Sequence, residues 1–245
     1  METEEFIATL RREGHLLAEA AQRSGLDAPV PPCPQWQVRD LVRHTGAVHR
    51  WAAAFVAERR TAPVEWDESA PDDDALVGWY RAMHSGLVST LEAAPADIEC
   101  WTFLPAPSPL AFWARRQAHE TTVHRVDAQS AAGAERSPVE TAFAADGVDE
   151  LLTGFHVRKR SQVRTDRPRT LRVLVHDGPG GDWLVRLSPQ PPVVERGGPG
   201  AADCTIGGPA EALYLALWNR GPYDGLTVEG DDALVDLWRR TSAVL

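Results

Sequence analysis

The residues with the greatest chemical reach lie in Arg115-Arg-Gln-Ala-His119-Glu120-Thr-Thr-Val-His124-Arg-Val-Asp127. Glu120 and His124 are four apart, so on a helix turning ~100° per residue they diverge by only ~40° and point the same way. A carboxylate and an imidazole presented together can ligate a metal. They can equally form an exposed helix pair worth ~0.2–0.5 kcal/mol. His119, five residues before His124, sits ~140° round the helix and is expected outside any shared site. The spacing also differs from the HExxH metalloprotease pattern, which needs histidines at i and i+4. A third residue tips the balance toward ligation. His44 falls within Leu41, His44, Val48, Trp51, Phe55, a series of three- and four-residue steps that marks the inward face of a helix. The helix of Glu120 aims a polar stripe, Gln117, Glu120, His124, Asp127, along one side. Two such stripes facing each other in a bundle are costly unless paired or metallated. Two imidazoles and one carboxylate, with positions left open for water or substrate, suit a catalytic divalent ion such as Zn²⁺, Ni²⁺ or Fe²⁺. Asp127 is either an acceptor that orients His124 or a solvated residue near the helix end.

The elements that must carry these residues are helices. Periodicity places helices over about 4–23, with Thr3 as a possible N-cap, and from Val38 to about Arg60. Others start near Pro71, run from Leu110 to Ala132, and run from Pro138 to about His156. Between the first two lies Pro29-Val-Pro-Pro-Cys-Pro34, too proline-dense for helix. The last third changes period. Leu171–Val175 and Trp183–Leu187 read as a hairpin across His176-Asp-Gly-Pro-Gly-Gly181. Cys204–Ile206 and Leu226–Val228 read as short strands, and residues 210–219 and 231–244 as helices. The expected fold is α+β: an up-and-down four-helix bundle over residues 1–160, then a small α+β domain over 165–245. The division is expected in the basic stretch 158–170, which holds Arg158, Lys159, Arg160, Arg164, Arg167 and Arg169.

Composition narrows the function. The chain has 245 residues, 43% hydrophobic and 24% charged, as in ordinary globular proteins. A formal charge of −10 argues against nucleic acid or an anionic membrane as partner. The basic stretch lacks interleaved aromatics that could stack bases and reads as a solvated linker. No apolar run approaches the ~20 residues of a membrane span, and the acidic amphipathic N-terminus is unlike a signal peptide. Cys33, Cys100 and Cys204 are widely spaced and read as structural, in a reducing cytoplasm. His49, five residues after His44, is expected in a surface or core role. Gly178–Gly181 and Gly197–Gly200 read as turns, since neither leads into a phosphate-binding helix. No Gly-x-Ser-x-Gly elbow supports a serine hydrolase.

Two motifs carry a family resemblance. Trp36-Gln-Val-Arg-Asp40-Leu-Val-Arg-His44 resembles the W-x-V-x-D-L-x-x-H signature of the mycothiol-dependent maleylpyruvate isomerases. Phe112-Trp-Ala-Arg-Arg-Gln-Ala-His-Glu120-Thr-Thr-Val-His124-Arg-Val-Asp127 is similar to that family's second signature. Gln37 departs from the Ser or Thr often found after the tryptophan. The resemblance spans nearly the whole chain and implies a DinB-like metal-binding bundle followed by a sterol-carrier-like domain. It implies metal ligands at His44, Glu120 and His124, with Zn²⁺ expected and Ni²⁺ or Fe²⁺ as alternatives. It also implies mycothiol as thiol cosubstrate and an active-site arginine whose best match is Arg220; a helix C-terminal cation before Gly221 is the other reading. The implied activity is delivery of a low-molecular-weight thiolate to a small electrophile, as an S-transferase or as a cis–trans isomerase. Two other functions use the same features: a non-catalytic carrier or sensor of small ligands, and a metal-dependent hydrolase whose nucleophile is bound water.

Overall fold

A computed structural model describes residues 1–178 and 180–244. The chain forms two compact units, Met1–Ser137 and Pro138–Leu245.

The first unit holds α1 (Thr3–Ser24), α2 (Val38–Ala57), α3 (Asp73–Ala93) and α4 (Pro109–Ala131). Three of them, α1, α2 and α4, start where a side chain meets a free backbone donor. Thr3 is the first helical residue, not the cap: Glu2 precedes the helix, and its N–H donates to Glu5 at 2.7 Å. At α2 the N–H of Gln37 donates to Asp40 at 2.9 Å. The aspartate of the Trp36–His44 motif thus fixes where α2 begins, and with it the direction of His44. At α4, Ser108 Oγ accepts from Ala111 N–H at 3.2 Å, and Pro109 supplies the first turn.

Packing sets a ring order of α1, α3, α2, α4, which leaves α1 diagonal to α2 and α3 diagonal to α4. The bundle is therefore not a walk round the ring from each helix to the next. The proline-rich link lets the chain cross from α1 to α2, with Pro29 and Gln37 paired by an isolated β-bridge. The consequence for the site is that α2 and α4 are neighbours. Leu17, Ala21, Val38, Leu41, Leu76 and Tyr80 form one side of the core. Opposite, α1 and α4 are joined by a buried ion pair in which Arg125 Nε donates to Glu13 Oε2 at 2.7 Å.

The second unit opens with α5 (Thr141–Asp149), which continues as a π-helical turn over Glu150–Phe155. A five-stranded sheet follows: β1 (Arg169–Val175), β2 (Gly181–Leu187), β3 (Val193–Arg196), β4 (Cys204–Gly208) and β5 (Thr227–Gly230), in the order β3-β2-β1-β4-β5. β1 is antiparallel to β2, with Val173 opposite Trp183, and parallel to β4, with Val173 opposite Ile206. α6 (Ala210–Leu217) and α7 (Ala233–Thr241) complete the unit. The α+β class is as read from the sequence. β3 is an addition to that reading.

The units divide at Ser137/Pro138 rather than in the basic stretch 158–170, with α5 in the second unit rather than within a bundle of residues 1–160. The physical reason lies in the contacts of α5. Phe143 packs edge-on to Tyr214 of α6 at 6.3 Å. Asp149 accepts from Trp183 Nε1 at 2.9 Å and from Arg196 at 2.6 Å, both on the sheet.

Candidate metal centre

His44 comes from α2; Glu120 and His124 come from successive turns of α4. One donor atom from each lies within 4.8 Å of the other two. Glu120 Oε1 is 3.2 Å from His124 Nε2 and 3.4 Å from His44 Nε2. A tetrahedral ion with ~2.1 Å bonds holds its donors ~3.4 Å apart, and the two distances from Glu120 match that spacing. The three helical residues singled out by spacing therefore do converge.

Each donor is held by a neighbour. His124 Nδ1 lies 2.9 Å from Asp127 Oδ2, and Asp127 is fully buried. With Nδ1 engaged there, Nε2 faces Glu120 and His44. Of the two readings of Asp127, the structure therefore matches the orienting acceptor. Glu120 Oε2 accepts from Arg116 Nη2 at 3.1 Å, which leaves Oε1 toward the imidazoles. Trp36 packs against both rings, 5.0 Å from His44 and 5.9 Å from His124. Trp66 lies 5.9 Å from His44 on another side.

Electrostatics follow from this packing. Burial works against ionising Glu120, but the hydrogen bond and charge of His124, the His44 contact and the Arg116 guanidinium outweigh it. The carboxyl is held well below the usual range. Burial likewise disfavours a charged His124, yet hydrogen bonds to Asp127 and Glu120 carry it up to about 9. Both carboxylates thus stabilise positive charge on or beside this ring.

The other candidates fall elsewhere. His119 is buried with its ring 6.0 Å from Phe6, off the site as its angle implied. His49 is buried in the core, its Nε2 2.8 Å from Thr121 Oγ1, and burial drives its pKa well down. Gln117 is buried on α4, one turn before Glu120. Arg220 belongs to the second unit, just past α6; its N–H donates to Leu215 O at 2.7 Å and its Nη1 to Trp218 O at 2.9 Å. Cys33 is half-buried with Sγ 3.9 Å from Asp127 Oδ2, and the Cys100 and Cys204 thiols are pushed up by burial.

Sequence reasoning assigned no role to Arg116 or Trp66. Arg116 was within reach, since it precedes Glu120 by the same four residues that separate Glu120 from His124. Trp66 lies in irregular chain between α2 and α3, where no periodicity points to a partner. A separate cavity of about 390 Å³ is lined by Val56, Arg59, Ser89, Thr90 and Ile98 at the far ends of α2 and α3, and none of the three donors lines it.

The same sequence segments are recognised by comparison with known proteins. Residues 7–129 match the family model of the mycothiol maleylpyruvate isomerase N-terminal domain, and residues 142–237 match that of its C-terminal domain. Among solved structures, the mycothiol-dependent maleylpyruvate isomerase is similar over 94% of this chain and 93% of its own, with TM-score 0.62 at 14% identity. A point mutant of a mycothiol-dependent maleylpyruvate isomerase covers the same shares, with TM-score 0.64 at 13% identity. At that identity the likeness establishes the fold. No curated protein matches the sequence.

Proposed function

Because the chain belongs to the mycothiol maleylpyruvate isomerase family, we propose that it is a metal-dependent enzyme delivering the thiolate of mycothiol to a small electrophile. The delivery ends either in S-transfer or in cis–trans isomerisation. The observation that carries this reading is the convergence of His44, Glu120 and His124, with donor atoms within 4.8 Å.

Those three residues would hold the ion; the donor set suits Zn²⁺, Ni²⁺ or Fe²⁺ alike, and Zn²⁺ is put first on the family resemblance. A divalent ion bound there lowers the pKa of a coordinated thiol and so supplies thiolate at neutral pH. The chain's own residues prepare that centre. Asp127 holds the Nδ1 proton of His124, so Nε2 is the donor. Arg116 takes one oxygen of Glu120 and leaves the other for the centre. Trp36 lies against both imidazoles and restricts their rotation. His44 is aimed from α2 by the cap at Asp40. Arg220 is proposed, from the family resemblance, to anchor an acidic group of the substrate.

The test is turnover of a panel of electrophiles by zinc-loaded protein, with and without mycothiol. Turnover that requires both ion and thiol is expected. Turnover that persists without thiol overturns the proposal in favour of hydrolysis by metal-bound water, and ligand binding without turnover makes the chain a carrier. For Arg220, replacement by Ala is expected to lower turnover of acidic electrophiles at full metal content. Unchanged kinetics would restrict it to its bonds at the end of α6.

A further inference from the structure

The metal centre is flanked by tryptophan. α2 carries His44 and Trp51 seven residues apart, which brings them to within ~20° on the helix and ~10.5 Å along it. Trp66 bridges the two, with its ring 5.9 Å from His44 and 5.7 Å from Trp51. The array continues from Trp51 to Phe55 at 4.9 Å, Trp113 at 5.3 Å and Trp101 at 6.1 Å. Phe55 and Trp113 are fully buried and belong to the core. Trp36, Trp51 and Trp101 are only half-buried, and Trp66 is 38% exposed. A run of indole faces therefore begins at the donors and remains partly uncovered.

Two polar features make this more than ordinary packing. Trp51 Nε1 is a buried donor without an acceptor. Such a donor is costly to leave unmet, so it marks a place where an incoming oxygen is favoured. Trp66 is tethered in the opposite sense: its Nε1 donates to Glu68 at 2.7 Å, and the adjacent Asp67 accepts from Arg50 at 2.9 Å. Those bonds hold the ring beside His44 and engage the Arg50 cation with Asp67 at the same time. What the bundle offers an electrophile next to the ion is thus stacking surface and one neutral N–H.

We infer that the electrophile is a planar conjugated molecule carrying an oxygen acceptor, stacked on Trp66 and hydrogen-bonded by Trp51 Nε1. This inference rests on the thiol-transfer reading and narrows its substrate class. Trp66 and Trp51 act as specificity-determining residues: a ring stacked on Trp66 lies beside the metal donors, where thiolate is generated. With an activated aryl halide the balance is simple. The thiolate sulfur forms a bond to the ring carbon, the carbon–halogen bond breaks with its electron pair leaving as halide, and the thiol proton passes to solvent. No oxidant or reductant is consumed.

The experiment pairs two displacement electrophiles, planar chlorodinitrobenzene and aliphatic iodoacetamide, with zinc-loaded full-length protein and mycothiol. Binding of unreactive meta-dinitrobenzene is measured in parallel by equilibrium dialysis. The aryl halide is expected to be preferred, relative to the uncatalysed rates. Trp66→Ala should raise KM for the aryl halide, and Kd for dinitrobenzene, by about threefold to tenfold, the worth of one aromatic pair. Metal content should stay unchanged. Trp51→Phe, which keeps the ring and removes the N–H, should weaken both by a similar factor. Equal preference for the two electrophiles, or a Trp66→Ala variant with unaltered aryl-halide KM and dinitrobenzene Kd, overturns the inference. Thiol-dependent turnover confined to aliphatic electrophiles also overturns it and leaves the thiol-transfer reading standing. Trp66-dependent dinitrobenzene binding with no thiol-dependent turnover of any electrophile does the reverse: the aromatic site stands and the transferase reading falls.

Discussion

His124 takes its role from the atom behind it. With Asp127 Oδ2 2.9 Å from Nδ1, the ring is held with Nε2 toward the other donors. Asp127→Asn keeps the shape but loses the charge and the certainty of which ring nitrogen is protonated. It is expected to weaken Zn²⁺ binding by about tenfold to a hundredfold, read by competition with a chromogenic chelator. An affinity equal to that of the unmodified chain would remove Asp127 from the centre. At this scale much of the site was legible, because helical geometry turns spacing into direction. Glu120, His124 and Asp127 share a face by arithmetic, and His44 stood out as an imidazole on an apolar stripe. Spacing carries no information about loops, so Trp66 escaped. Nor does it tell how a guanidinium near the end of α6 is used, so Arg220 rested on resemblance alone.

Bringing α2 beside α4 is the work of the helices. Two contacts that hold the other helices of the bundle around that pair can be tested without touching the site. Arg125 and Glu13 are both almost wholly buried, and their pairing ties α1 to α4. Glu13→Ala would leave the Arg125 charge uncompensated in the interior and is expected to cost about 3–5 kcal/mol, measured by urea unfolding. A cost below ~1 kcal/mol would mean the guanidinium finds other partners. Gly14, on the neighbouring position of α1, faces α3: a Cβ there would overlap the ring of His84, whose Nε2 lies 3.0 Å from Leu10 O. Gly14→Ala is expected to destabilise by about 1–3 kcal/mol through overpacking, despite alanine's better helix propensity. An increase in stability would show that α3 yields freely. Helix existence was readable from apolar periodicity, and bounds moved by only a few residues where caps decided them. The π-helical turn after α5 was not readable, since the phase shift from one extra residue cannot be measured over a segment as short as Glu150–Phe155. β3 was hidden for another reason: Val193–Arg196 follows two prolines and has no buried residue, so it lacks the alternation that marks a half-buried strand.

For the whole molecule, the ring order α1, α3, α2, α4 and the division at Ser137 are outcomes of long-range packing, which no local pattern records. A basic, proline-containing stretch looked like a linker, but composition shows only that a segment is polar, not which unit claims the helix before it. Acid stability is also a property of the whole fold. His156 is buried beside Trp238, 4.7 Å from its ring, and burial lowers its pKa to about 4. The unfolded chain, with histidine near ~6.5, binds the extra proton first, so stability is present above that value and is lost as pH falls toward about 4. Near pH 5 the loss from this group is about 2 kcal/mol. His156→Phe should flatten this part of the pH dependence of urea unfolding; an unchanged slope between pH 7 and pH 5 would assign the acid sensitivity to other groups. The central claim is that two neighbouring helices build one ion site from His44, Glu120 and His124. Its most direct test is metal quantification by mass spectrometry on untagged, zinc-reconstituted protein and on folded His44→Ala and His124→Ala variants. About one ion per chain is expected in the parent and essentially none in either variant. A folded variant that retains a stoichiometric ion would contradict the account.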